Sequence, residues 1–527
     1  MKPKCPGYGA SLRPSLPTSA IFPDVTYSLA VFILLLLLLL LLLQLFLKLF
    51  LAPVRRPDLS DIPGPWYTRV SHVWFFYQRW HRRLAPASHA ILLSHGDETN
   101  GIVRLSPTVV LLNDTPSLKA LFGKQHATTG TKIVRALNLG GHSWSIMVPE
   151  LDLVRGRRQA VQEATRETNM QQWQGVIDRQ VGVLLGALRS GGVVDVVRPL
   201  RMLTIKASAL TLIGTEISDA ATREVLEANS LFNRCVANRL CMPDVLVSFL
   251  DMLSSREHLL SHTRLFRSLG SGAKLLALGK KLNDLAAEKG RSLGVQSSAL
   301  HLQRKQMRME HGIEDLDLLS ADTAGGLLAG SETTAATLAW ILFELSRRPA
   351  LVEQLRDELA AAEGTNARPD LLDAVIKEEL RYRGPVALTS NRIVGAGGAM
   401  VLGGRYFLPA GTVVVMHNHS LSRRCQHGSH DVWDPTRWVD AGVRAADGGD
   451  RCTAPFGIGI RRCPGKTMAW MVMRMVVTAV VRDFVLRCPA ETTDQTMEAV
   501  ELNGNRPRSE ECRLVFFPRE KPKCPDR

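Results

Sequence analysis

No CxxC pair occurs among the nine cysteines of this 527-residue chain, and their spacing suggests no disulfide framework. The main body therefore reads as a domain of a reducing compartment, with at least one cysteine kept for chemistry. Aromatic residues make up only 6% of the chain, so no aromatic-rich binding surface stands out. Long lysine or arginine runs are absent too. The net charge of +15 is spread along the whole sequence, which speaks against a nucleic-acid partner and for a basic surface meeting an acidic protein or anionic lipid. There is no internal repeat of domain size, and no linker divides the body.

One hydrophobic run does stand out. Residues 27–47 are almost wholly apolar, with ten consecutive leucines at 34–43 and Gln44 as the one clear interruption before Lys48. About 20 helical residues span the hydrocarbon core of a bilayer. A secretory apolar region is shorter, and no small-x-small cleavage pattern follows. The run therefore reads as a retained transmembrane helix. Lys2, Lys4 and Arg13 precede it and Arg55 and Arg56 follow it, so charge bias alone does not orient it. Pro57, Pro63 and Pro65 with Gly64 then suggest a stiff non-helical hinge. The expected layout is a short tail (1–26), an anchor (27–51), a hinge (52–66) and one large domain (67–527).

The large domain reads as mainly helical with small β-sheets. "GIVRLSPTVVLL" (101–112) suggests two strands around a Ser-Pro turn, and alternation near 400–416 suggests more. The clearest helix is expected over 316–346, with others over 350–362 and 371–382.

Four stretches carry chemistry. "FGIGIRRCPGK" (456–466) sets Cys463 in a glycine-rich bend before an apolar helical pattern. Pro464 suits the first turn of a helix, and Gly457, Gly459 and Gly465 permit a tight bend. A helix N-terminus, with Arg461 and Arg462 beside it, favours thiolate over thiol. "AGSETT" (329–334) puts Glu332 and Thr333 in an otherwise apolar helix that also carries Gly325, Gly326 and Gly330. Each glycine there costs about 1 kcal/mol against alanine. Close approach of a ligand, with proton handling by Glu332 and Thr333, would account for them; helix–helix packing would too. Glu378 and Arg381 share a helix face, a spacing that on its own suits a solvated surface pair. Arg437 follows Pro435 in "DPTRW".

Taken together these stretches resemble the cytochrome P-450 haem-thiolate monooxygenases. Phe456, Gly459, Arg461, Cys463 and Gly465 match the family's F-x-x-G-x-R-x-C-x-G. Residues Ala329, Gly330, Glu332 and Thr333 match [AG]-G-x-[DE]-T-[TS], Glu378 and Arg381 match E-x-x-R, and Arg437 matches the later P-x-R-[FW]. The apolar run and "IPGP" resemble microsomal members, and the stretches 61–80 and 101–114 resemble fungal enzymes that tailor secondary metabolites. The resemblance implies the cytochrome P-450 fold and haem b (iron protoporphyrin IX), with Cys463 as axial ligand of its iron. It implies Arg461 and Arg392 on the propionates, and Glu378, Arg381 and Arg437 as a buried structural triad. One departure stands out. The family usually has Trp or His four residues before an early-helix arginine; here Leu153 and Val154 precede Arg157 and Arg158, so that propionate contact stays unassigned, with His142 and Trp144 as distant candidates.

The implied activity inserts one oxygen atom from O2 into an apolar small molecule, with electrons from an NADPH-cytochrome reductase. The implied setting is the endoplasmic reticulum membrane, single-pass, with the catalytic domain cytosolic. A haem-thiolate isomerase or dehydratase is the alternative enzyme, although such relatives often lose the acid–threonine pair. A non-enzymatic membrane-tethered haem sensor would not need that pair. The pocket lining is expected in 125–150, 225–260, 323–328, 386–389 and 502–506. A run with His417, His419, Cys425, His427 and His430 holds zinc-type side chains but fits no standard zinc spacing.

Overall fold

The computed structural model describes residues 23–46, 57–123, 127–129, 131–145, 148, 155–189, 192–242, 247, 271–289, 296–364, 369–388, 391–424, 430–439 and 453–519. The chain divides into two units, 1–55 and 56–527. The first contains an α-helix at Pro23–Phe46. Its apolar stretch Val31–Gln44 exposes leucine after leucine.

The second unit begins inside the stretch expected as a hinge, ahead of the expected start at 67. Leu59 and Ile62 are fully buried, one turn apart, and pack with strand residues such as Ile102 and Val110. Arg104 donates to the Leu59 carbonyl at 2.9 Å, and its backbone N–H donates to Pro63 at 2.8 Å. Residues 57–65 are therefore part of the body's wall.

Helices dominate the body. The long helix Leu316–Ser346 starts at Asp315, whose side chain accepts from the Leu318 backbone N–H. It is apolar and long enough to cross a membrane by composition, yet most of it is buried inside the body. A helix apolar all round belongs in a core. Trp340 and Phe343 are fully buried, and burial of each such side chain stabilises by about 1.5–3 kcal/mol. The Trp340 indole donates to the Met497 carbonyl at 2.9 Å, so its polar edge is satisfied. The helices Val197–Ile213, Ser271–Glu288 and Lys466–Asp483 pack against it.

In the five-stranded sheet, Ile102–Arg104 pairs antiparallel with Val109–Leu112, which runs parallel to Val413–Met416. Arg392–Val394 and then Ala127–Thr129 complete it, both in antiparallel pairs. Val193–Asp195, Arg513–Pro518 and Phe484–Arg487 form a three-stranded sheet. The short hairpin of Ala499–Glu501 and Asn505–Pro507 reaches toward the long helix.

Glu378 and Arg381, on the helix Asp370–Tyr382, lie at the body's densest polar node. Both side chains are fully buried. Arg381 donates to both Glu378 oxygens at 2.8 Å, and Arg437 donates to one of them at 3.2 Å. Trp438 and the Asp434 backbone N–H add bonds at 2.9 and 2.8 Å. Arg381 also donates to the carbonyls of His430 and Val432. Spacing alone suggested a solvated surface pair; in the fold the pair is sealed beneath the segment that carries Arg437.

His417 and His419 join His89 rather than a metal ligand set. Ser420 bridges His89 and His417, and burial pulls the His417 imidazole down to about 3. Among the described residues no group of three side chains is placed to hold a metal ion. Cys425 and His427 lie outside the described residues.

Removing one partner from the Glu378 node leaves buried charge uncompensated, which destabilises by about 3–5 kcal/mol. Arg381→Ala is expected to yield little folded protein and an unfolding midpoint well below wild type in denaturant titration. A wild-type midpoint would mean the node contributes nothing.

Candidate active site

Cys463 is placed by a short, tightly bonded loop. Its backbone N–H donates to the Phe456 carbonyl at 2.7 Å, and Gly457 donates to Ala454 at 2.9 Å. Gly457 and Gly459 have φ of 72° and 71°, a region open chiefly to glycine. A Cβ on Gly459 would stand 2.3 Å from the Phe122 carbonyl oxygen, so this turn admits no side chain. Gly465 differs from the expectation: its φ is −86° and it serves as the helix N-cap. Pro464 consequently lies outside the helix rather than in its first turn.

Cys463 is exposed and lines both a cavity of about 290 Å³ and an open concavity on the other side of its loop. Burial pushes its pKa up, against the opposing pull of the Gly465 backbone N–H and Arg158. The sequence-based expectation that the helix end would favour thiolate is thus outweighed by desolvation in the protein alone.

Three guanidinium groups face the same cavity, from Arg158, Arg392 and Arg461. They come from different elements: the helix Arg155–Ala164, the strand Arg392–Val394 and the cysteine loop. Arg461 donates to the Val148 carbonyl at 2.8 Å. Arg158 donates to the Arg462 carbonyl at 3.1 Å, and among the described residues its buried Nη1 has no hydrogen-bond partner. Burial first, then repulsion by Arg461 and Arg158, pulls Arg392 down to about 9. Among the described residues the one carboxylate on the cavity wall is Asp322. It is already engaged by Arg157 at 3.3 Å, by the Ser145 backbone N–H and by Gln303 at 3.1 Å.

This arrangement separates the two early arginines that sequence left open: Arg157 is committed to Asp322, and Arg158 turns to the cavity. His142 lies 3.9 Å from Asp317. Trp144 lines the cavity, its indole N–H donating to the Leu137 carbonyl at 3.2 Å. Leu153 and Val154 lie outside the described residues.

Across the cavity runs the long helix, contributing Ala329, Gly330 and Thr333. The Thr333 hydroxyl donates back to the Ala329 carbonyl at 3.0 Å, so its oxygen remains an acceptor toward the cavity. Glu332 faces an adjoining compartment and pairs with Arg201. The glycines of this helix serve packing. A Cβ on Gly325 would fall 2.2 Å from the Trp144 ring, and one on Gly330 would fall 2.4 Å from the Ser208 hydroxyl. Thr323, expected in the lining, instead bonds Asn283 at 2.8 Å. Leu388 does line the adjoining compartment, and Thr389 lies outside the described residues.

A planar dianionic macrocycle with a metal at its centre fits these residues. The cavity offers one soft sulfur ligand on one wall, small residues on the other, and excess guanidinium charge at the edge. Sequence reasoning missed Asp322 and Arg201. Asp322 was detectable as a lone carboxylate within an apolar helical stretch; Arg201 carried no local signal.

A family profile described as Cytochrome P450 matches residues 106–508. A cytochrome P450 monooxygenase of Aspergillus parasiticus (aflV) is 30% identical over 46% of this chain and 48% of its own. Averantin hydroxylase of the same species is 32% identical over 32% of this chain and 36% of its own. The chain thus spans about half the length, or less, of these curated relatives. The structure of a cytochrome P450DA heme domain superposes with a TM-score of 0.67 at 18% identity, covering 87% of this chain and 98% of that one. A zebra fish cytochrome P450 bound to progesterone gives 0.62 at 17% identity, covering 82% and 99%. These solved structures share the fold.

Thiolate ligation by Cys463 is open to direct test. The reduced carbon monoxide complex is expected to show the red-shifted Soret band of thiolate-ligated haem, lost in Cys463→Ala and kept in Cys488→Ala. An unchanged spectrum in Cys463→Ala would remove Cys463 from the site.

Proposed function

The chain belongs to the cytochrome P450 family, and on that ground we propose that it is a haem-thiolate monooxygenase acting on an apolar small molecule. The observation that carries this reading is the pairing across one cavity of the Cys463 loop with Thr333 and Gly330 of the long helix. Haem, the cofactor of this family, supplies activation of O2 and transfer of one oxygen atom, chemistry that thiolate ligation favours.

The chain's own residues have four tasks. Cys463 would supply the sulfur that holds the iron. Arg158, Arg392 and Arg461 would hold the group's carboxylates by charge-assisted hydrogen bonds. The apolar walls, among them Trp144, Leu212 and Val386, exclude water from the reacting carbon.

The fourth task is proton supply. Placing one oxygen atom in product and releasing the other as water consumes two electrons and two protons. The Thr333 oxygen can hold an ordered water, and Glu332 can link that water to the polar compartment beside it. Glu332 must first loosen from Arg201 to take up a proton. Retention of both residues favours oxygen insertion over isomerisation.

Electrons are proposed to come from an NADPH-cytochrome reductase. On the outer side of the Cys463 loop lies an open concavity of about 1190 Å³ that presents Lys119, Arg166, Lys305, Arg462 and Lys466. Its one carboxylate, Glu163, is paired with Arg166 at 2.9 Å. A basic concavity so close to the thiol suits an acidic redox partner.

The helix Pro23–Phe46, with 24 residues, is about 36 Å long, enough for a hydrocarbon core of about 30 Å. It is proposed as a single-pass anchor in the endoplasmic reticulum membrane, with the body cytosolic. The likeness to averantin hydroxylase supports a tailoring step in secondary metabolite biosynthesis.

Thr333→Ala is expected to keep the Soret signature and to consume NADPH with reductase, while product per NADPH falls roughly tenfold or more and hydrogen peroxide rises. Glu332→Gln is expected mainly to slow turnover. Wild-type coupling in Thr333→Ala would defeat the proton-supply role.

Removal of residues 1–51 is expected to release the protein from membranes with its haem spectrum intact. Full sedimentation of the truncated protein with membranes would place the attachment elsewhere.

A further inference from the structure

The compartment that Glu332 faces, about 240 Å³ in volume, adjoins the cysteine cavity and shares Trp144, Ala329 and Thr333 with it. Its walls are chemically uneven. One side is apolar, with Leu137, Leu328 and Val386; the other carries guanidinium, carboxylate and amide groups.

Among the described residues the lining carries two guanidiniums, Arg201 and Arg506, and two carboxylates, Glu332 and Glu510, but they are unevenly matched. Arg201 pairs with Glu332. Glu510 is held from outside the compartment by Arg234 at 2.8 Å. Arg506, on the hairpin strand Asn505–Pro507, is the more loosely paired of the two lining guanidiniums. Only 13% of its side chain is exposed, and its nearest carboxylate oxygen, on Glu510, is 3.8 Å away. That oxygen is the one Arg234 already holds. Among the described residues the Arg506 guanidinium makes no hydrogen bond. Burial, the largest influence, lowers its pKa, which marks the cost of holding this cation away from water.

A guanidinium has five donors in a fixed fork and does not give up its proton. Buried donors are ordinarily satisfied. A donor set held at one end of an apolar ligand cavity is satisfied when a ligand brings oxygen acceptors, and bidentate acceptance by an anionic oxygen pair is the strongest such match.

We infer that Arg506 is a specificity-determining residue that binds an anionic oxygen group, a carboxylate or an ionised phenol, on a substrate whose apolar body extends toward Thr333. This deepens the monooxygenase reading and rests on it. The site of oxidation would then lie at the end of the substrate remote from its anion, because Arg506 fixes one end and the cysteine cavity receives the other.

The test is equilibrium dialysis of the haem-loaded full chain at neutral pH with matched pairs: dodecanoate and methyl dodecanoate, naphthoate and methyl naphthoate. Wild type is expected to bind the acid of at least one pair about tenfold more tightly than its ester, the scale of one charge-assisted hydrogen bond. Arg506→Gln is expected to abolish that preference while leaving ester affinity unchanged, and Arg506→Lys to retain part of it. Equal binding of acid and ester in both pairs, binding of none of the four, or an acid preference that survives in Arg506→Gln would overturn the inference. The carbon monoxide spectrum of each variant reports separately on the haem-thiolate site, and a normal spectrum with no acid preference defeats the Arg506 assignment alone.

Discussion

Three cationic side chains around one thiol-bearing cavity constitute the constraint on which the rest of the structure turns. Arg158, Arg392 and Arg461 outnumber the single wall carboxylate, Asp322, which is spoken for by Arg157. Like charges this close repel, and burial adds to the penalty. A fold that gathers them tolerates the repulsion only if something anionic shares the space. The helix Arg155–Ala164, the strand Arg392–Val394 and the cysteine loop thereby converge on one cavity where, among the described residues, cations outnumber carboxylates.

The Glu378 node solves the opposite problem. There a buried carboxylate and two guanidiniums leave none of the carboxylate's capacity unused, because an indole and a backbone N–H complete the set. The node joins the helix Asp370–Tyr382 to the 430–438 segment. One cluster gathers its cations on a buried carboxylate, and the other sets them around a cavity. That contrast distinguishes a structural role from a binding role more sharply than residue type does, since arginine serves in both.

Much of this was legible in the sequence. The long helix was expected over 316–346 and is found at Leu316–Ser346, because 31 apolar-rich residues ending before Pro349 leave few alternatives. The strands at Ile102–Arg104 and Val109–Leu112 followed from β-branched runs around a Ser-Pro turn. Cys463, Thr333, Arg392 and Arg461 could be named because a local pattern marks them. What stayed hidden depends on distant contacts. Whether Arg157 or Arg158 turns to the cavity is decided by Asp322, more than 160 residues away, which captures the first and frees the second. The start of the body was misjudged because prolines signal a break in helix but not whether Leu59 and Ile62 find a core. The loose pairing of Arg506 is visible only once Arg234 is seen to hold the same Glu510 oxygen.

The close fit of the long helix bears on how such a protein can diversify. Gly325 and Gly330 are filled out by Trp144 and Ser208, so even one added methyl group on this wall meets a neighbour. Lineages that acquire new substrates would find little freedom there. The hairpin bearing Arg506 is different: it is short, only partly buried, and followed by the exposed Arg508 and Ser509. Variation accumulating among descendants of this gene should therefore be sparse on the helix and plentiful on the hairpin, a division of evolutionary labour between an inherited reaction chamber and an interchangeable mouth.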